Sequence, residues 1–147
     1  EGGSSAGMTY VVFGPVDGEL SLSSADAMLT GERSGDKSGS DVMMSDYNRD
    51  GYADVTTGSP GASALGIDDG MVHVLYGPFS GVIDLENADA VVGGESDNEK
   101  IGSYLGYGDL TGDGYDDLLL GVPANDNTAG AAGAAFILGG GPLPASE

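Results

Sequence analysis

The sequence has no cysteine and no tryptophan, one histidine (His73), and only 4 Lys+Arg against 24 Asp+Glu in 147 residues. Without cysteine there is no disulfide, no thiolate nucleophile and no zinc site of the usual Cys/His kind. A formal charge of −20 repels the phosphates of nucleic acid and the headgroups of an anionic membrane, so neither is expected as a partner. No apolar run approaches the roughly 18 residues needed to span a bilayer, so no membrane insertion is expected. There is no Asn-x-Ser/Thr sequon and no Arg-Gly-Asp; Arg49-Asp50-Gly51 belongs to an acidic loop described below. The chain opens at Glu1 with no signal peptide, as a mature product or an excised fragment would.

What is abundant is glycine, 28 residues, about three times the usual share. No Gly-X-Y period accompanies it, which excludes collagen. Short apolar clusters such as Tyr10-Val11-Val12-Phe13, Val72-His73-Val74-Leu75-Tyr76 and Leu118-Leu119-Leu120 are separated by Gly, Pro, Asp and Asn. That is the pattern of many short strands with tight turns, and it excludes disorder over residues 7–140. No stretch sustains a helical period; the nearest, Leu22–Leu29 and Leu85–Val92, are short. The small, polar ends are expected to be tails.

The chain repeats itself. Asp46–Asp54 recurs as Asp109–Asp117, Gly14-Pro15 as Gly77-Pro78, Ala25-Asp26-Ala27 as Ala88-Asp89-Ala90, and Gly58/Pro60 as Gly121/Pro123, always 63 residues apart. The organisation is a tail over 1–6, one repeat over 7–69, a second over 70–132, and the start of a third with a tail over 133–147. Each repeat holds about four strand candidates; in the second these are Met71–Tyr76, Ile83–Val92, Ser103–Gly108 and Asp117–Gly121. A repeated module of this kind cannot bury both faces alone and must stack on its neighbours. Apolar residues at consecutive strand positions suit sheets covered on both faces. The expected fold class is all-β, with four-stranded antiparallel blades of a β-propeller and an incomplete ring of about two and a third repeats.

Asp46, Asn48, Asp50 and Asp54 stand at positions 1, 3, 5 and 9 of a loop, with Gly51 at the sharp turn and the Tyr52 carbonyl available at position 7. The second loop offers Asp109, Thr111, Asp113, Tyr115 and Asp117 around Gly114. Alternating oxygen donors in a tight acidic loop suit a hard cation, and Ca2+ is expected at both, two sites in all. Thr111 is the weaker donor and would act through a water. A helix-flanked EF-hand loop is excluded, because position 12 is Thr57 or Leu120 instead of Glu and strand-like residues follow.

These residues resemble the FG-GAP repeats of the integrin α-subunit β-propeller and its bacterial relatives. The Gly-Ala-Pro position of the family corresponds to Gly58-Ser59-Pro60 and Gly121-Val122-Pro123. Its Phe-Gly position corresponds to Ser38-Gly39 and Ile101-Gly102, both without the Phe. The resemblance implies that the calcium loop joins strands one and two of a blade. Gly39–Ser45 and Ala53–Gly58 would then be strands one and two, Met71–Tyr76 strand three, and Ile83–Val92 strand four. The chain would run 3-4, then 1-2-3-4, then 1-2-3.

No nucleophile–base pair is recognisable, nor a P-loop or dinucleotide fingerprint. The counterparts of His73 are Tyr10 and Phe136, so its position calls for a flat ring in a packed strand, and no enzymatic activity is expected. Glu32 and Glu95, with Asp26 and Asp89, repeat in phase and so are assigned to building blades. The function expected is a calcium-stabilised module, extracellular or on the cell surface, for adhesion or for binding a protein or glycan. The alternatives are a self-assembling surface protein and the non-catalytic propeller part of a secreted hydrolase. Two and a third repeats cannot close a ring, so a homo-oligomer or further blades of a longer chain are expected. Donation of strand four near Leu20–Leu29 to the C-terminal blade of the next copy is one head-to-tail route to a ring or filament.

Overall fold

The computed structural model describes residues 4–125 and 132–142. In chain order its strands are β1 (Met8–Val11), β2 (Ala27–Thr30), β3 (Val42–Ser45), β4 (Asp54–Ser59), β5 (Met71–Leu75), β6 (Gly81–Asp84), β7 (Ala90–Gly93), β8 (Tyr104–Gly108), β9 (Asp117–Val122) and β10 (Ala134–Leu138). They form three sheets, ordered β1-β2-β6, β3-β4-β5-β7 and β10-β9-β8. The middle sheet is a whole antiparallel blade, strands one to four in chain order. β1 and β2 are strands three and four of the blade before it, and β8, β9 and β10 are strands one to three of the blade after it. The fold is all-β, with the propeller-type blade order expected from the repeat.

One expectation is corrected. The segment Ile83–Val92 is not a single strand: only Ala90–Gly93 pairs with β5. Before it, β6 leaves its own blade and runs parallel to β2 of the preceding one, from Ala27↔Gly81 to Thr30↔Asp84. A 3₁₀ turn at Leu85–Asn87 separates the two, and the Asp84 side chain caps it by accepting the Glu86 N–H at 3.1 Å. Leu20–Leu29 divides in the same way into a turn at Leu22–Ser24, capped by Ser21, and β2. Leu85 is fully buried although it sits in a turn; an apolar residue placed that way is indistinguishable in sequence from one in a strand.

β4 is buried at all six positions, because blades cover it on both sides; this is why its apolar and small residues do not alternate. Between the first two blades, Val11, Ala27 and Leu29 meet Val55 and Leu75, and the β5–β7 connection adds Phe79 and Leu85. Between the second and third, Val72, Ile101, Leu118, Leu120 and Val122 pack together. Each fully buried leucine here contributes about 1.5–3 kcal/mol. The repeated aspartates do build blades. Asp26 accepts the Phe13 N–H and Asp89 the Tyr76 N–H, each at 2.8 Å, just past the end of strand three.

Candidate functional site: two acidic loops and a buried histidine

The Asp46 loop is the β3–β4 connection, and the Asp109 loop is the β8–β9 connection. Each therefore joins strands one and two, at the same end of consecutive blades. In the first, Asp46 accepts the N–H groups of Asp50 and Gly51, both at 3.0 Å, one on each carboxylate oxygen. Asn48 Oδ1 accepts the Asp50 N–H at 2.9 Å, and Asp50 Oδ1 accepts the Tyr52 N–H at 2.8 Å. Gly51 has φ 91°, a conformation that other residues adopt only with strain. Asp54, fully buried at the start of β4, accepts the Tyr47 N–H and, through its other oxygen, the N–H of Gly77 beyond β5.

The second loop repeats this frame. Asp109 accepts from Gly112 at 2.7 Å and Gly114 at 3.0 Å, and Asp113 accepts from Tyr115 at 2.9 Å. Asp117 accepts from Leu110 and Thr111 at 2.8 Å, and from Gly140, the counterpart of Gly77, at 3.0 Å. The loops touch: the Arg49 guanidinium of the first lies 4.7 Å from the ring centre of Tyr115 in the second. Burial, together with the charges of Asp50 and Asp46, holds the Asp54 carboxyl above the usual carboxylate range, against the pull of its two N–H donors. Burial raises Asp117 as well, but the N–H groups of Gly140, Thr111 and Leu110 outweigh it and hold that carboxyl below the range.

Among the described residues no group of three or more Asp, Glu or His side chains stands assembled for a metal. In the first loop Asp46 Oδ1 and Asn48 Oδ1 both accept the Asp50 N–H. The donor chemistry nevertheless fits a hard cation, since every side chain in the set offers oxygen and no soft ligand intrudes. A carboxylate has about four acceptor directions, and Asp46 uses one on each oxygen, so capacity remains. If calcium binds, Asp46, Asn48, Asp50, Asp54 and the Tyr52 carbonyl hold one ion, and Asp109, Thr111, Asp113, Asp117 and the Tyr115 carbonyl the other.

His73 lies in β5, only 1 % exposed. Its Nε2 is 3.1 Å from Glu32 Oε1 and its Nδ1 3.4 Å from Ser59 Oγ, which is in turn 2.7 Å from Ser38 Oγ. The partners were invisible in sequence, although the in-phase Glu32 and Glu95 marked one of them. The order Ser–His–Glu resembles a hydrolytic triad, but Ser59 is fully buried and offers no access to a substrate carbonyl. A Gly-x-Ser-x-Gly spacing also occurs, at residues 3–7. Its Ser5 precedes β1 instead of leaving a strand for a helix, the setting a nucleophile elbow requires.

A four-stranded blade stacked between two partial ones, with an acidic loop between strands one and two, defines a β-propeller segment. Residues 38–75 and 105–138 match the FG-GAP repeat family. The chain thus carries two FG-GAP repeats, each taking in an acidic loop and the Gly-x-Pro after it. It is also similar to phosphatidylinositol-glycan-specific phospholipase D: 38% identical to the mouse protein over 88 residues, which is 56% of this chain and 10% of that protein. The bovine protein is 36% identical and the human one 35% identical, each over 89 residues, 56% of this chain and 11% of the relative. The chain therefore spans about a tenth of the length of these relatives.

Proposed function

We propose that the chain is a calcium-stabilised β-propeller module that works outside the cell, in adhesion or in binding a protein or glycan. One observation carries this reading. Two Asp-rich loops of the same spacing, each turning on a positive-φ glycine, occupy the same connection in consecutive blades. Duplicated acid at one structural position, on a chain of charge −20, favours a bound cation over mere solvation. Millimolar extracellular calcium is the setting that loops of modest affinity suit. The test is thermal melting in chelator and in millimolar calcium, with calorimetric titration to count ions. Two ions and a raised melting temperature support the reading; an unchanged melting temperature defeats it.

The similarity to phospholipase D favours a second reading, in which the module is the non-catalytic propeller part of a hydrolase. The burial of Ser59 and His73 supports a non-catalytic role. Purified chain should then hydrolyse neither phosphodiester nor ester substrates; turnover above a buffer control would overturn this.

A further inference from the structure

The first acidic loop is fastened to the second by side chains that stand next to the oxygen donors of both. The Ser45 hydroxyl donates to Asp116 Oδ2; Ser45 directly precedes Asp46, and Asp116 directly precedes Asp117. The Arg49 guanidinium lies 4.7 Å from the Tyr115 ring centre. It packs so closely on the turn that a Cβ added to Gly114 would lie 2.9 Å from its Nη2. Arg49 stands between Asn48 and Asp50, and Tyr115 between Asp113 and Asp117.

The repeat departs from itself at the residues that make these bridges. The counterparts of Ser45 and Arg49, 63 positions on, are Gly108 and Gly112, and that of Asp116, 63 positions back, is Ala53. Arg49 has φ 59° and Gly112 φ 78°. A left-handed position that glycine takes without strain is thus occupied in the first loop by a long side chain. Neutralising carboxylates does not account for it. Among the described residues the one ion pair is that of His73 with Glu32. Arg49, set between two loops rich in aspartate, stacks on a ring and pairs with none of them. It leaves the aspartate oxygens free and fixes the position of a turn.

We propose that Ser45 and Arg49 couple the two loops, so that a calcium ion held by the first raises the affinity of the second. By linkage the second raises the affinity of the first by the same factor. This coupling rests on the reading that both loops bind calcium. An ion held by Asp46, Asn48 and Asp50 fixes the residue after Ser45 and the residues on both sides of Arg49. Through Arg49 that order reaches the Gly114–Tyr115 turn, which offers the Tyr115 carbonyl. Through Ser45 it reaches the residue before Asp117. The second loop then has less freedom left to lose when it binds. Charge alone acts in the opposite sense, because a guanidinium beside the second loop repels a cation there. Removing Arg49 should therefore weaken the second loop if it transmits order, and strengthen it if it acts only as a charge.

The test is calorimetric titration of calcium into the 147-residue chain and three variants. Asp50→Ala empties the first loop, and the second is then expected to bind about 5-fold more weakly or worse, as coupled sites do. Ser45→Gly with Arg49→Gly gives the first loop the residues of the second. It should weaken the second loop to the same degree while the first still fills, and adding Asp50→Ala should weaken the second no further. Arg49→Gln, at an exposed position, removes the charge and should also weaken the second loop. Melting curves in chelator that match the wild type verify folding, and Arg49→Gln alone suffices if the glycine pair does not fold. Equal affinity of the second loop in wild type and Asp50→Ala overturns the proposal and leaves calcium binding standing. So does a second loop that strengthens when Arg49 is replaced, or coupling that survives the loss of both bridges. A chain that takes up no calcium overturns the proposal together with the reading beneath it.

Discussion

The backbone of Gly102 fills the place where a side chain on Gly58 would be. A Cβ added to Gly58 in β4 would collide with the Gly102 carbonyl, and one added to Gly102 would lie 2.9 Å from the Gly58 Cα. Gly102 also has φ 87°, so it is glycine for conformational reasons as well. These are the Gly-x-Pro glycine of one repeat and the Phe-Gly glycine of the next. Their contact is where the second blade meets the third.

Gly58→Ala should therefore push two blades apart and cost about 3 kcal/mol or more, in the range of overpacking a tight core. The same change at Gly121, its repeat counterpart, meets only the Tyr104 Cβ at 3.2 Å and its neighbours. That contact is relieved by a shift of a few tenths of an ångström in β8, so Gly121→Ala should cost below about 1 kcal/mol. Urea denaturation of the two variants checks this; equal losses would mean that the blade contact contributes little.

The blades were legible in the sequence because one offset governs them, and the consecutive apolar residues Leu118-Leu119-Leu120 announced a strand covered on both faces; Val11-Val12-Phe13 did not, since β1 ends at Val11 and Phe13 is exposed. The path of β6 was not legible. Ile83 and Leu85 are apolar whether their segment stays in its own blade or crosses to the previous one, and only the register with Ala27–Thr30 distinguishes the two. In the acidic loops, donor types and spacing could be read directly, since they lie within nine residues. The ties from Asp54 to Gly77, 23 residues away, and from His73 to Glu32, 41 away, depend on how blades stack. Local pattern carries no trace of them.

The two loops should differ in calcium affinity. Asn48 presents its carbonyl oxygen inside the first loop, whereas the Thr111 side chain is hydrogen-bonded to Asp117. The Asp46 loop is expected to bind more tightly. Asp50→Ala should abolish the tighter step of a calorimetric titration, and Asp113→Ala the weaker. At tenfold excess over the dissociation constant each site should add about 1.4 kcal/mol of stability. If Asp113→Ala removes the tighter step instead, the assignment is reversed.

His73 can be exchanged for the residue that its repeat uses. In His73→Phe, Ser59 keeps Ser38 as a partner, and Glu32, whose side chain is 21% exposed, can turn to water. The loss should be about 1–2 kcal/mol, the worth of hydrogen bonds whose other partners stay satisfied. His73→Ala, which also opens a cavity, should cost about 3–5 kcal/mol. Denaturant midpoints test the order: a phenylalanine variant no better than alanine would show that the hydrogen bonds, and not the packed ring, hold the strand.

Asp69 has no acidic counterpart in the other repeats, where Ala6 and Ala132 stand. It is fully buried and accepts three backbone N–H groups, from Ala64 at 2.8 Å and from Leu65 and Gly66 at 2.7 Å. Its own carbonyl accepts the Ile101 N–H at 2.9 Å, so it ties this loop to the entry of the third blade. Burial alone would raise its carboxyl, but the three donors overcome that and hold it below the usual carboxylate range. The unfolded chain therefore takes up this proton at a higher pH, about 3.9, than the folded chain does. The stabilisation from Asp69 is then full above about pH 5 and is lost as pH falls through the folded-state value. Asp69→Asn keeps a single acceptor oxygen that does not titrate in this range, and should lower stability at neutral pH by about 1–3 kcal/mol. The difference between wild type and variant should shrink as pH is lowered from 5 toward 2. A gap that stays constant across that range in melting experiments would show that the Asp69 charge does not hold the loop.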